Sequence, residues 1–161
     1  MRLHKTATVA ALALLLSLGT ATTAGASAPG SGPVGDSRAK ASAASTLDTA
    51  NHLMGLRYWD FVNQPQVAPF DWESDGCTGV GTGEKVIFFE ACVQHDFGYG
   101  NYGPSSGLKL DPTDARRAWI DERFYHEMRQ ICIDRHESGS TCLGSAKVIY
   151  DGVRAIGWTH W

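Results

Sequence analysis

Beyond Leu18 the chain lacks any long hydrophobic run, so nothing in its main body could cross a bilayer. It also lacks a basic run or stripe. Acidic residues outnumber Lys and Arg by 17 to 14, which argues against nucleic acid and against purely electrostatic docking to anionic lipid. Its four cysteines include no Cys-x-x-Cys pair, which makes zinc a poor reading. There is no internal repeat and no convincing alternating strand. The run "GVGTGE" (Gly79 to Glu84) has no strand before it and no Lys-Ser/Thr after it. It therefore reads as turn punctuation, with a direct role for its glycines the minor alternative.

What is present begins with an N-terminal export pattern. Arg2 and Lys5 precede an apolar run from Ala7 to Leu18, and Ala24-x-Ala26 follows as a cleavage pattern. Residues 1–26 are read as a secretory signal peptide. Losing Arg2 and Lys5 with it takes the formal net charge from −3 to −5, which leaves a zwitterionic or neutral surface open as a partner. Residues 27–45, rich in Ala, Ser and Gly, read as a flexible leader. The folded domain is expected over 46–161, a size that disulfides help to stabilise.

Export changes the reading of Cys77, Cys92, Cys132 and Cys142. In an oxidising compartment they imply two disulfides, and three pairings are open. Sequence spacing favours Cys77–Cys92 and Cys132–Cys142, the two short loops.

The remaining pattern is helical. "STLDTANHLMGLRYWDFV" carries a Ser/Thr cap and apolar residues at helical spacing, and a loop spans Asn63 to Gly83. Helix is expected from about Glu84 to Tyr102. Asp111 is expected to cap a long helix with Pro112 in its first turn, running to about Glu137. The last helix starts near Thr141, with Cys142, Ala146, Ile149, Val153 and Ile156 on one stripe. The expected fold is all-α, a small disulfide-stabilised domain with two long antiparallel helices.

Titratable groups interrupt two of these stripes. Phe88, Ala91, Cys92, His95, Tyr99 and Tyr102 share a face of the central helix. On the long helix Ala118, Asp121, Phe124, Tyr125, Met128, Ile131 and Cys132 do the same. A buried unpaired carboxylate costs several kcal/mol, so Asp121 needs a partner, and His95 is the obvious one. Such a pair is often only a structural hydrogen bond. Asp96 beside it favours function, because a further carboxylate there is costly without a cation. The loop "FDWESDGCT" brings Asp71, Glu73 and Asp75, and a Cys77–Cys92 bond would set Asp75 near Asp96. Carboxylate and carbonyl oxygens suit a hard cation such as Ca²⁺.

"ACVQHDFGYGNY", preceded by "FDWESDGCT" and followed by "IDERFYHEM", resembles the small secreted phospholipases A2 of bacteria and fungi. The resemblance runs from about Trp59 to the end and rests on Cys92, His95, Asp96 and Tyr99, a Cys-x-x-His-Asp-x-x-Tyr core. It implies His95 as general base, Asp121 as the carboxylate that orients it, and Ca²⁺ held by Asp75, the Gly76 carbonyl and Asp96. It implies the same short-loop disulfides. The implied activity is secreted, calcium-dependent hydrolysis of the sn-2 ester of glycerophospholipids. The chain would act as a monomer at phospholipid aggregates or a membrane surface. No serine or cysteine nucleophile is expected, every cysteine being committed to a disulfide. Gln94 departs from the family's usual Arg and is read as facing away from the site, which implies an altered surface or lipid preference rather than lost activity. Gly100 and Gly103 loosen the helix end, and the Tyr-Gly-Cys-type calcium loop of venom and pancreatic enzymes is absent. Two rivals remain: a calcium-dependent lipid-binding module without catalysis, and a secreted inhibitor or toxin whose His-Asp pair is structural.

Overall fold

The structure, a computed structural model, describes residues 34–136 and 139–161. The expected signal peptide and residues 27–33 of the expected leader lie outside the described residues. Helix α1 covers Val34–Gly55, α2 Tyr58–Val62, α3 Thr82–Ile87, α4 Phe89–Tyr102, α5 Asp114–Asp134 and α6 Ser140–Ile156, followed by a 3-10 turn at Gly157–Thr159. There is no strand among the described residues. The fold is all-α.

Helix α4 runs through the middle. Its buried Phe88 neighbour, Ala91 and Cys92 pack with Phe124, Met128, Ile131 and Cys132 of α5. Its other side, with Phe97 and Tyr102, packs with Ala50, Met54, Phe61 and Ile120. Arg135, just past α5, meets Glu90 at the start of α4, while Gly98 meets Ile120 farther along. The two helices are therefore antiparallel. Gly98 permits the close approach, since a Cβ there would sit 2.7 Å from Ile120 Cγ2. Two disulfides, Cys77–Cys92 and Cys132–Cys142, hold the loop before α3 to α4, and α5 to α6.

Several boundaries differ from those expected, each for a local reason. Helix α1 begins at Val34 rather than near Thr46, so the part of the leader from residue 34 onward is helical. Its alanines are strong helix formers. Residues 39–45 are exposed, and burial in α1 is first complete at Ala50. The expected first helix is split at Gly55–Arg57. Gln94 Nε2 donates to the carbonyls of Met54 and Leu56, at 3.2 and 2.9 Å, and Arg123 donates to Leu56 at 2.7 Å. Glu127, fully buried, accepts the Tyr58 amide at 2.7 Å and so serves the start of α2.

The stretch from Glu84 to Tyr102 is likewise two helices, joined at Phe88 (φ −103°, ψ 14°). The bend leaves α3 outside, with no buried residue, and sends α4 through the core. Thr113, not Asp111, caps α5: its backbone is extended and its side chain accepts from the Arg116 amide. Asp111 accepts from Thr113 Oγ1 and Arg116 Nε instead, both at 2.9 Å. Helix α5 stops at Asp134, short of Glu137.

Candidate active site

His95 and Asp121, placed on facing stripes by their spacing, meet across α4 and α5. Nε2 of His95 lies 2.9 Å from Oδ1 of Asp121. The carboxylate is wholly buried, and the imidazole is held between Tyr99 and Phe124, with ring centroids 4.4 and 4.5 Å away. Tyr99 Oη donates to the same oxygen at 2.8 Å. On the other oxygen, Oδ2, Arg154 of α6 donates at 2.7 Å and Arg117 at 3.4 Å.

Burial alone would raise the Asp121 pKa, but the bond and charge of His95 and the donors Arg154 and Tyr99 outweigh it. The carboxyl is held below the ordinary value near 3.8. An ionised carboxylate only accepts hydrogen bonds, so Nε2 carries the proton and Nδ1 keeps its lone pair. Burial and Asp121 push the Tyr99 phenol up, which keeps it a donor.

The imidazole faces an open groove of about 1300 Å³. One wall is the α6 stripe, with Val148, Ile149, Val153 and Ile156; Asp75, Thr78 and Val80 belong to the other. Ile156 is 65% exposed, so the α6 stripe leaves the core at its C-terminal end and becomes the groove's lip. The glycines of "GVGTGE" go beyond punctuation, since Gly79 and Gly81 also line the groove.

Asp96, next to His95, lines the same groove. Its Oδ2 accepts from Ser74 Oγ at 2.6 Å and from the Gly76 amide at 3.3 Å. Burial pushes its pKa up; Asp75 adds to that, and Ser74, His95 and Gly76 do not offset it. Gly76 sits at φ +57°, where a Cβ would come within 2.8 Å of Phe89 Cε2, so glycine is required at this bend. The carboxylates of half-buried Asp96 and exposed Asp75, together with backbone carbonyls of the loop, are an oxygen-only donor set, which suits Ca²⁺ better than a softer metal. No group of three His, Cys, Asp or Glu side chains arranged for a metal occurs among the described residues. A cation here would complete its shell with loop carbonyls and water. Asp71 is not part of this set; its oxygen Oδ1 accepts from the Glu73 amide and its backbone pairs with Asn101.

The sequence reading missed three participants: Ser74, Arg117 and Arg154. Arg154 stands one residue after Val153 of the stripe and gave no signal by spacing. Gln94 does face away from the groove, but into the protein, at 2% exposure. A surface or lipid-preference role is therefore replaced by capping of α1. The turn Gly103–Gly107, "GPSSG", spells Gly-x-Ser-x-Gly. It follows a helix rather than a strand, and Ser105 Oγ donates to the Trp161 carbonyl at 2.9 Å. That is not the setting of a serine nucleophile.

The model of the prokaryotic phospholipase A2 family matches residues 51–157. The chain belongs to that family. It is also similar to a protein of Beauveria bassiana (strain ARSEF 2860) named secretory phospholipase A2, with 42% identity over 88 residues. That alignment covers 54% of this chain and 44% of the relative, so the chain matches less than half of the relative's length.

Proposed function

We propose that the protein is a secreted, calcium-dependent phospholipase A2. In this reading it releases a fatty acid and a lysophospholipid from the sn-2 position of glycerophospholipids. The observation that carries it is the His95 Nε2–Asp121 Oδ1 bond of 2.9 Å, with the imidazole facing the groove.

Asp121 holds His95 in the tautomer that leaves Nδ1 free to accept a proton. A water in the groove gives that proton to Nδ1 as its oxygen attacks the ester carbonyl. The imidazole then returns the proton to the departing glyceryl oxygen. The apolar α6 wall takes the acyl chain and keeps bulk water from the ester. Tyr99 and Phe124 flank the imidazole and restrict its rotation. Asp75, the Gly76 carbonyl and Asp96 would hold Ca²⁺, which when bound supplies positive charge for the lipid phosphate and the developing oxyanion. The negative charge of the mature chain favours zwitterionic over anionic lipid surfaces.

Fatty-acid release from phosphatidylcholine dispersions, with Ca²⁺ and with EDTA, tests this. Release that depends on Ca²⁺ supports it. Ca²⁺-dependent lipid binding without release points to a binding module, and neither points to an inhibitor-like protein.

A further inference from the structure

The Asp121 carboxylate is gripped at both oxygens by groups from three helices. A carboxylate turns easily about its last torsion, whose energy profile is broad. The place of Oδ1, and so of the imidazole bonded to it, depends on what holds Oδ2. Two guanidinium groups compete for that role. Arg117 lies one turn away on the same helix, at 3.4 Å, and its Nε has no hydrogen-bond partner. Arg154 reaches across from α6 at 2.7 Å. Geometry makes Arg154 the stronger hold.

This is not an ordinary surface pair. The Asp121 side chain is 0% exposed and that of Arg154 32%, whereas the Lys147–Asp151 pair of the same helix is 53% and 57% exposed. Arg154 also ties the groove wall to the dyad. Helix α6 is fastened to α5 at its start by Cys132–Cys142, and near its end by Arg154–Asp121. Between these two ties lie Ile149 and Val153, which face the groove.

We propose that Arg154 is a positioning residue for His95. It fixes the rotation of the Asp121 carboxylate, and through it the orientation of the imidazole against the α6 wall. The proposal rests on the reading of His95 as general base. A residue that only held α6 in place would change thermal stability without changing the chemistry per folded molecule.

The test uses the full chain with Arg154→Met and Arg154→Lys, and Lys147→Met as the control for losing an α6 cation. Two quantities are read. One is kcat and KM on monomeric dihexanoyl phosphatidylcholine with Ca²⁺. The other is the proton resonance of His95 Nε2–H by NMR, which needs no turnover. Arg154→Met should lower kcat about tenfold with KM changed less than about twofold, as misplacement of a reacting group does. It should also broaden or shift the Nε2–H resonance. Arg154→Lys should recover most of both, and Lys147→Met should alter neither. If Arg154→Met does not fold, Arg154→Gln carries the same expectation in milder form. An unchanged kcat and an unchanged resonance would overturn the proposal. Wild-type protein without phospholipase activity would instead overturn the functional reading, and the resonance would still decide whether Arg154 positions His95.

Discussion

The backbone amide of Gly76 lies 3.3 Å from Oδ2 of Asp96, so the loop ahead of α3 is bonded to the residue beside His95. Asp75, one position earlier in that loop, adds its charge to the burden on Asp96. Asp75→Asn should therefore weaken Ca²⁺ binding strongly and leave the fold intact, because the loop's own hydrogen bonds do not use the Asp75 carboxylate. Calorimetric titration of both proteins checks this. Equal affinities would remove Asp75 from the site.

The Cys77–Cys92 bond holds the same loop to α4, with Cα atoms 5.2 Å apart. Replacing both cysteines by serine should cost about 2–5 kcal/mol of stability, the usual range for a native bond in a small secreted domain. It should weaken Ca²⁺ binding as well, since only the hydrogen bonds of Ser74 and Gly76 would then hold the loop against Asp96. A variant with a lower melting temperature but unchanged Ca²⁺ affinity would show that the loop keeps its shape unaided.

Gln94 gives a prediction about stability alone. Its amide serves carbonyls of Leu53, Met54 and Leu56 at the end of α1. Gln94→Leu fills the space but takes the donor from the Met54 carbonyl, at about 1–3 kcal/mol, while Leu53 and Leu56 keep the Leu56 amide and Arg123 as donors. Melting temperature should fall while Ca²⁺ affinity stays as in wild type. A loss of Ca²⁺ affinity would place Gln94 in the site after all.

This residue also marks where sequence reasoning stops. Helical spacing located His95 and Asp121 because each interrupts an otherwise apolar stripe, and a core position makes a titratable group conspicuous. Spacing favoured the two short-loop disulfides while leaving three pairings open, and the structure forms those two, Cys77–Cys92 and Cys132–Cys142. Gln94, Arg123 and Glu127 are also buried or half-buried, but their partners are ends of α1 and α2 lying about 40 to 70 positions away in sequence. No local pattern carries that information. Arg154 was hidden because arginine beside an apolar stripe usually reads as a solvated face. The breaks at Gly55–Arg57 and Phe88 are tertiary too: periodicity continues through them, while capping and packing divide the chain.

Asp121 links stability to pH. Its folded pKa lies below the ordinary 3.8, held there by His95, Arg154 and Tyr99 against the effect of burial. A carboxyl depressed in the folded state contributes stability that is complete above its ordinary pKa and is lost as pH falls through the folded value. Asp121→Asn leaves Arg117 and Arg154 facing no charge, and breaking a buried pair in this way costs about 3–5 kcal/mol. The variant should melt well below wild type at neutral pH, and the gap should begin to narrow below about pH 4, where the unfolded chain's carboxyl takes up its proton, and close as pH falls through the lower folded value. Thermal melts from pH 3 to 7 on both proteins check it. A gap independent of pH would mean that the charge of Asp121 does not stabilise the fold.

The general base is the centre of the account, and His95→Gln tests it most directly. Fatty-acid release from phosphatidylcholine would be measured for wild type and variant, with Ca²⁺ affinity measured on the same samples. General base catalysis contributes about 10²–10⁴-fold. Release should fall by that order while Ca²⁺ binding persists, because the imidazole is not among the metal's proposed ligands. A His95→Gln protein that binds Ca²⁺ and retains more than about a tenth of wild-type turnover would contradict the mechanism.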